Sequence, residues 1–127
     1  TREEMTQAVF EGVAFGLRDS LEAAKSAGIK IERAKICGGG AKSGLWKKII
    51  ANVMNIKIDV LENEEGPSYG AAILASVGCG EYASVQEASE KMASIIDTVE
   101  PDAEISAKYE NKYNIFKKIY PLLRDIY

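Results

Sequence analysis

The amino-acid sequence predicts an α/β fold with a small parallel sheet of two or three strands and about five helices. Two observations predict the strands: residues 34–37 form a short, mainly apolar run, and residues 56–60 alternate apolar side chains with Lys57 and Asp59. A third observation predicts the helices, because apolar side chains recur at helical spacing in the remaining segments. These helical segments comprise residues 1–27, 45–54, 68–79, 84–95 and 107–127.

The first helix carries two distinct rows of side chains. Apolar residues recur every four positions from Met5 to Leu21, as one face of a helix requires. Small residues form the second row: Ala8, Gly12, Gly16 and Ser20. Because a glycine inside a helix costs about 1 kcal/mol, this row predicts that another element packs very closely against it. Gly28 suits the position just after the helix.

The later elements carry their own signals. Ser84 and Glu87 have the spacing of a capping box at the start of the fourth helix. Residues 98–101 are expected to be extended, and Pro121 is expected to kink or break the last helix near Tyr120. The first strand lacks alternation, which predicts cover on both of its faces.

The segment between the first strand and the second helix reads Gly38-Gly39-Gly40-Ala41-Lys42-Ser43, and we call it the glycine turn. Glycines allow a sharp turn and let a ligand approach the main chain. The first turn of the following helix offers unpaired N–H groups that suit a phosphate. Ser43 is well placed as the N-cap of that helix or as a contact to the ligand. The order of strand, glycine turn and helix is typical of a nucleotide site.

The same residues can be compared with other nucleotide motifs and with a turn that binds no ligand. A P-loop is excluded, because Lys42 follows an alanine and the first glycine of that motif is replaced by an isoleucine. A dinucleotide fingerprint matches at Gly38 and Gly40 but has Ser43 at its third position, with Asp59 at a suitable distance for a ribose contact. A plain strand-to-helix turn without any ligand also remains open.

Composition narrows the classes of function. The 127 residues suffice for one domain with a core, and the net charge of −3 argues against nucleic-acid and anionic-membrane partners. The sequence has no histidine, which excludes Ser-His or Cys-His catalysis and histidine-ligated zinc. Two cysteines are too few for a disulfide scaffold, and this usage fits a reducing cytoplasm. Because Cys37 ends an apolar strand, we expect it to be a small buried hydrophobic residue.

One group of acidic residues was considered as a metal site. Its members are Asp59, Glu62, Glu64 and Glu65. They lack the spacing of a calcium loop, so a solvated acidic loop is the favoured interpretation and no metal ligand is assigned. The longest apolar run, residues 71–77, is too short to span a bilayer.

Three segments carry a resemblance to a known family: residues 7–19 (QAVFEGVAFGLRD), 38–46 (GGGAKSGLW) and 65–75 (EGPSYGAAILA). In this order and spacing they resemble the C-terminal part of the FGGY carbohydrate kinases, and within that family the bacterial xylulokinase group. The resemblance covers nearly the whole chain. It implies a part of an actin/hexokinase/Hsp70-like (ribonuclease H-like) ATPase domain, in which ATP sits between two domains, with the helix around Gly70 near the hinge.

The resemblance also implies which residues contact the nucleotide. The glycine turn corresponds to the adenosine motif of the family, with Gly39 near the adenosine and phosphates and Ser43 beside the adenine. The implied nucleotide-binding residues are Gly38, Gly39, Gly40, Ala41 and Ser43. The roles of Lys42 and Trp46 stay open, and core packing is favoured for Trp46.

The implied reaction is transfer of the ATP γ-phosphate, with Mg²⁺, to a sugar hydroxyl, with D-xylulose giving D-xylulose 5-phosphate in cytoplasmic xylose metabolism. In the family, the general-base aspartate, the Mg²⁺ ligands and the sugar-binding domain lie upstream of the segments matched here. We therefore expect residues 1–127 to be a single C-terminal kinase subdomain, inactive alone and prone to self-association. Its expected partners are ATP and, through the missing domain, a sugar, with no nucleic acid and no membrane.

Three alternatives stay open at this point. Another sugar within the family is the first, because related FGGY kinases act on gluconate, ribulose or glycerol. A Rossmann-like module would bind NAD in place of ATP. A non-catalytic interaction domain would keep the glycine turn only for folding.

Overall fold

The computed structural model describes residues 1–62 and 66–126, and these residues form five α-helices and three β-strands. The helices are α1 (Arg2–Ser26), α2 (Gly44–Met54), α3 (Gly66–Gly78), α4 (Val85–Met92) and α5 (Ala103–Leu123). The strands are β1 (Arg33–Ile36), β2 (Lys57–Leu61) and β3 (Ile95–Val99). Two short 3-10 turns span Gly39–Lys42 and Arg124–Ile126. The predicted α/β class, strand number and helix number are confirmed.

The sheet has the strand order β1-β2-β3 and is mixed. β1 and β2 are parallel, with Arg33 opposite Lys57, and α2 connects them as a βαβ crossover. β3 runs antiparallel to β2, with Ile58 opposite Val99. The expectation of a parallel sheet is therefore wrong for the third strand. The chain enters β3 after α3 and α4, in the direction opposite to β2, and residue 95 belongs to this strand and not to the fourth helix.

One cluster of the core lies between α1, α2 and α5. Its buried members are Ala14, Phe15, Ile49, Val53, Tyr109 and Tyr113. Phe15 contacts three aromatic rings of α5, with ring centroids 5.3 to 6.1 Å apart. The aromatic side chains of α5 thus pack inward over its first half, whereas Tyr120 and Leu123 near its end are exposed.

The second cluster joins the C-terminal part of α1 to α2 and the sheet. Its buried members are Leu21, Ile50, Ala51, Ile56 and Ile58. Trp46 packs against both clusters and is itself half-buried, which supports the interpretation of its indole as a packing group. The first turn of α2 is therefore joined through one side chain to the whole core.

The apolar row that predicted α1 is not the buried face of that helix. Leu21 is buried, but the four residues before it in the row are exposed: Met5, Val9, Val13 and Leu17. Cβ atoms built on Gly12 and Gly16 would meet no heavy atom within 4 Å. The element expected to pack against the small-residue row is therefore absent from the part of the chain that the structure describes.

Polar contacts hold α1 against α5. Tyr113 donates a hydrogen bond to Asp19 at 2.6 Å, and the Arg18 guanidinium lies 4.2 Å from the centroid of the Tyr113 ring. Burial, followed by the hydrogen bond to Asp19, raises the pKa of Tyr113 to about 12. α5 begins at Ala103, four residues before its predicted start, and continues past Pro121. None of the described helices combines the length and apolar character needed to cross a bilayer.

Candidate functional site

The glycine turn forms one turn of 3-10 helix between β1 and α2. The Ala41 N–H donates to the Gly38 carbonyl at 3.0 Å, and the Ser43 N–H donates to the Gly40 carbonyl at 3.2 Å. Gly38 has φ 78° and ψ −173°, a region that is essentially restricted to glycine. The required left-handed conformation thus falls on Gly38, the first residue of the turn.

Ser43 caps α2, as the sequence predicts. Its hydroxyl accepts a hydrogen bond from the Trp46 N–H at 3.2 Å, and its backbone is extended. Because this oxygen also has a proton to donate, the hydroxyl can contact a further group while it caps the helix. Ala41 is buried beneath the turn, so its side chain supports the fold.

The second and third glycines face different surroundings. A Cβ atom built on Gly39 would meet no heavy atom within 4 Å. A Cβ atom built on Gly40 would lie 3.0 Å from Trp46 Cδ1 and 3.1 Å from Trp46 Nε1. The main chain at Gly39 is therefore open on its outer side, whereas Gly40 packs directly against an indole edge.

An open, mainly apolar cavity of about 330 Å³ adjoins the glycine turn. It is lined by Val9, Phe10, Val13, Gly40, Ser43 and Trp46. The rings of Phe10 and Trp46 are tilted against each other with centroids 5.5 Å apart. The volume of this cavity lies at the lower end of the range of about 300–1,000 Å³ that is typical of small-molecule sites. The lining from α1 was not predicted, although Phe10 belongs to a segment that carries the family resemblance.

Asp59 lies away from the glycine turn, in the middle of β2, and is only 2% exposed. Its carboxylate accepts hydrogen bonds from Arg33 Nε at 2.7 Å, Arg33 Nη2 at 2.6 Å and Thr98 Oγ1 at 2.7 Å. The Arg33 hydrogen bonds hold the pKa of Asp59 below its ordinary value against the opposing effect of burial, with help from Thr98. A carboxylate so occupied is not available to a ribose, which removes a support of the dinucleotide interpretation.

The lowered pKa of Asp59 predicts a pH-dependent stability. The stabilisation is fully present above the unfolded-state pKa of about 3.9 and is lost as the pH falls through the lower folded-state pKa. We expect Asp59→Asn to unfold at lower urea concentration than the wild type at pH 7, and this difference to shrink below about pH 4. Glu104→Gln, on the exposed surface of α5, is the control. Equal differences at all pH values would contradict the assignment.

Cys37 and β1 differ from their predicted surroundings. Cys37 is exposed, so the expectation of a buried thiol is wrong for the described chain. β1 is an edge strand paired only with β2, and Arg33 and Lys35 are exposed, so it is not covered on both faces. Among the described residues, no strand pairs with the free edge of β1.

The described residues contain no group of three or more histidine, cysteine, aspartate or glutamate side chains that could hold a metal ion. Of the acidic residues discussed above, Asp59 binds Arg33, while Glu64 and Glu65 lie outside the described residues.

Comparison with known proteins adds the decisive observation. Residues 1–79 match the model of the FGGY family of carbohydrate kinases, C-terminal domain. This chain belongs to the FGGY family of carbohydrate kinases. The matched part of this FGGY chain contains α1, the glycine turn and α2, and therefore includes every residue that lines the cavity.

Individual relatives agree with this assignment. The FGGY chain is 36% identical over 126 residues to the xylulose kinase of Staphylococcus epidermidis, covering 99% of the chain and 25% of that enzyme. It superimposes on a xylulose kinase from Brucella ovis with a TM-score of 0.86 and 33% identity, covering 100% and 26% of the two chains. A gluconate kinase from Lactobacillus acidophilus shares the fold, with a TM-score of 0.82, 24% identity and 97% and 25% coverage.

These comparisons confirm that the chain belongs to the FGGY carbohydrate kinase family and has the actin/hexokinase-like fold. Because the matching family is FGGY, the chain does not belong to a Rossmann-like dinucleotide-binding family. The FGGY chain spans about a quarter of the length of the relatives that it matches.

Proposed function

We propose that the glycine turn binds ATP and that the chain forms the adenine side of the nucleotide site in a sugar kinase. The observation that carries the proposal is the open main chain at Gly39 beside the cavity of about 330 Å³. In an FGGY chain this combination suits a nucleotide, because the base can enter an apolar cavity while the phosphates approach main-chain N–H groups.

The residues around the turn fit such a ligand. Gly39 leaves space that any side chain would fill, and Ser43, whose hydroxyl caps α2, lines the cavity. The N-terminus of α2 carries partial positive charge and therefore favours a phosphate. Gly38, Gly40 and Ala41 shape the turn in this proposal, since Gly38 allows the left-handed φ and Ala41 is buried below it.

When Mg²⁺ is bound with ATP it neutralises charge on the phosphates, and the rest of phosphoryl transfer depends on positioning. The described residues would contribute to positioning alone, by holding the nucleotide and excluding water from one side of it. We assign the general base, the Mg²⁺ ligands and the sugar contacts to other parts of a longer kinase. The coverage of about a quarter of each relative supports this division.

D-Xylulose is the proposed sugar, with D-xylulose 5-phosphate as the product. The proposal is supported by the xylulose kinases of Staphylococcus epidermidis and Bacillus subtilis, which are 36% and 34% identical to this chain. The likeness in fold to a gluconate kinase keeps other FGGY sugars as the alternative. A role in cytoplasmic xylose metabolism belongs to the same proposal and has the same support.

Gly39→Val tests the nucleotide assignment. The valine side chain would fill the open space that ATP is proposed to occupy, so in the longer kinase we expect about a tenfold or greater loss of ATP affinity with unchanged sugar affinity. ATP and sugar binding are measured separately by calorimetry, and circular dichroism checks the fold.

Gly78→Val is the matched control, because its Cβ atom would also meet no heavy atom within 4 Å, its φ is not left-handed, and it lies at the end of α3 outside the cavity. Loss of sugar binding with intact ATP binding would contradict the proposed site. Tighter binding of NAD than of ATP would favour a dinucleotide module, and equal binding by wild type and Gly39→Val would favour a turn kept only for folding.

A further inference from the structure

Trp46 occupies an unusual place for a residue of the first helical turn. It is half-buried, packs against both hydrophobic clusters and lines the cavity beside the glycine turn. Its backbone N–H donates a hydrogen bond to the Ser43 hydroxyl, while the edge of its indole ring faces Gly40. One residue thus contacts the core on one side and two positions of the glycine turn on the other.

The indole is also held from the side of α1. The Phe10 ring lies against it with centroids 5.5 Å apart, and Phe10 itself packs on the cluster between α1, α2 and α5. An aromatic pair of this kind contributes about 0.5–1.5 kcal/mol beyond its buried area and prefers a limited set of orientations. The position of the indole is therefore fixed by α1 as well as by α2.

The contact at Gly40 leaves very little room. The Cβ atom of any other residue would lie 3.0 Å from Trp46 Cδ1 and 3.1 Å from Trp46 Nε1, closer than an ordinary van der Waals contact. At Gly40 the hydrogen-bonded turn cannot move inward without displacing the indole, although Ala41 of the same turn is already buried. The ring acts as a spacer between the core and the turn.

We propose that Trp46 is a positioning residue for the nucleotide site, which sets the distance of the glycine turn from α1 while Phe10 fixes its ring. The inference rests on the proposed binding of ATP at the turn. It explains why the third glycine has no space for a side chain although its φ is not left-handed. In this proposal Gly39 contacts ATP, and Gly40 contacts Trp46, which holds the turn in place.

A double-mutant cycle in the longer kinase tests the proposal. The Gly40→Ala methyl group should push the turn away from the indole and weaken ATP binding about tenfold. Trp46→Leu should weaken it similarly because the spacer is lost. Since a leucine methyl can rotate away from the added alanine, the double variant should bind about as weakly as Trp46→Leu alone. Additive losses would overturn the proposal, because Gly40→Ala would then act directly on the nucleotide.

Two further variants keep the test independent of folding. Trp46→Phe retains a ring against Phe10 and should restore ATP affinity to within about threefold of the wild type. Leu45→Ala is the control, because Leu45 lies in the same helical turn, is exposed and does not line this cavity. If Trp46→Leu does not fold, Phe10→Leu takes its place in the cycle, and non-additivity is again expected because an indole without its Phe10 contact can shift away from the added methyl group.

Amide hydrogen exchange without ATP separates this proposal from the proposed function. Trp46→Leu should speed exchange at Ala41 and Ser43, whose N–H groups close the turn, by about tenfold more than at α5 amides. Equal acceleration everywhere would reflect lost stability and would overturn the positioning role. If the wild type binds no ATP but the turn loosens locally, the proposed function fails while the support of the turn by Trp46 stands.

Discussion

The 127-residue chain on its own should release no ADP from ATP in the presence of D-xylulose. Phosphoryl transfer requires a group that accepts the hydroxyl proton and metal ligands that hold Mg²⁺ against the phosphates. Three acids of the described chain are already engaged with partners on other elements: Asp59 with Arg33, Asp19 with Tyr113, and Glu11 with Lys112. Each would have to lose an existing partner before it could act on a substrate.

A coupled ADP-release assay with ATP, Mg²⁺ and D-xylulose measures this expectation, and a xylulose kinase such as that of Bacillus subtilis is the positive control. Kinases of this kind should turn over on the order of 10 per second. Turnover by the isolated chain at that rate would refute the proposal that the general base, the Mg²⁺ ligands and the sugar contacts lie in other parts of a longer kinase. ATP binding without turnover would agree with both the nucleotide site and the assignment of the chemistry to other parts of the kinase.

The glycine turn and its flanking elements could be predicted from sequence because their signals are local. A strand, three glycines and a helix start lie within about twenty residues, and the N-cap role of Ser43 depends only on the next three positions. The capping role of Ser84 was predicted for the same reason, and its hydroxyl accepts the Glu87 N–H at 3.1 Å. Such features are encoded by short-range geometry and need no knowledge of the tertiary structure.

The direction of β3 and the exposure of Cys37 could not be predicted in the same way. Ile95 and Ile96 suit a strand as well as a helix end, and only pairing with β2 decides between them. Burial of Cys37 depends on what lies beyond the edge of β1, which is a property of the assembly and not of the local sequence. Likewise, the contribution of Phe10 to the cavity depends on how α1 crosses α2.

α1 presents an exposed apolar face. We expect the isolated chain to form a two-fold dimer through this face, with a second copy of the chain as the occupant. Met5, Val9, Val13 and Leu17 are 73%, 65%, 53% and 43% exposed. The adjacent Gly12 and Gly16 leave open space where another helix can approach closely. A contiguous apolar strip of this length on a monomer favours association.

Leu17→Glu tests the dimer without altering the cavity, which Leu17 does not line. The variant removes about 1 kcal/mol of apolar burial from each copy and places a carboxylate in the interface, so dimerisation should weaken by at least about a hundredfold. Light scattering over a concentration series should give twice 13.8 kDa for the wild type and a monomer for the variant.

Ile119→Glu is the matched control, because Ile119 is similarly exposed but lies on α5. Its dimerisation should equal that of the wild type. A wild-type chain that stays monomeric at roughly 100 μM and unfolds cooperatively would contradict the dimer. Loss of the dimer in Ile119→Glu together with an unchanged dimer in Leu17→Glu would move the interface to α5, and the row of small residues on α1 would then have no packing role in the isolated chain.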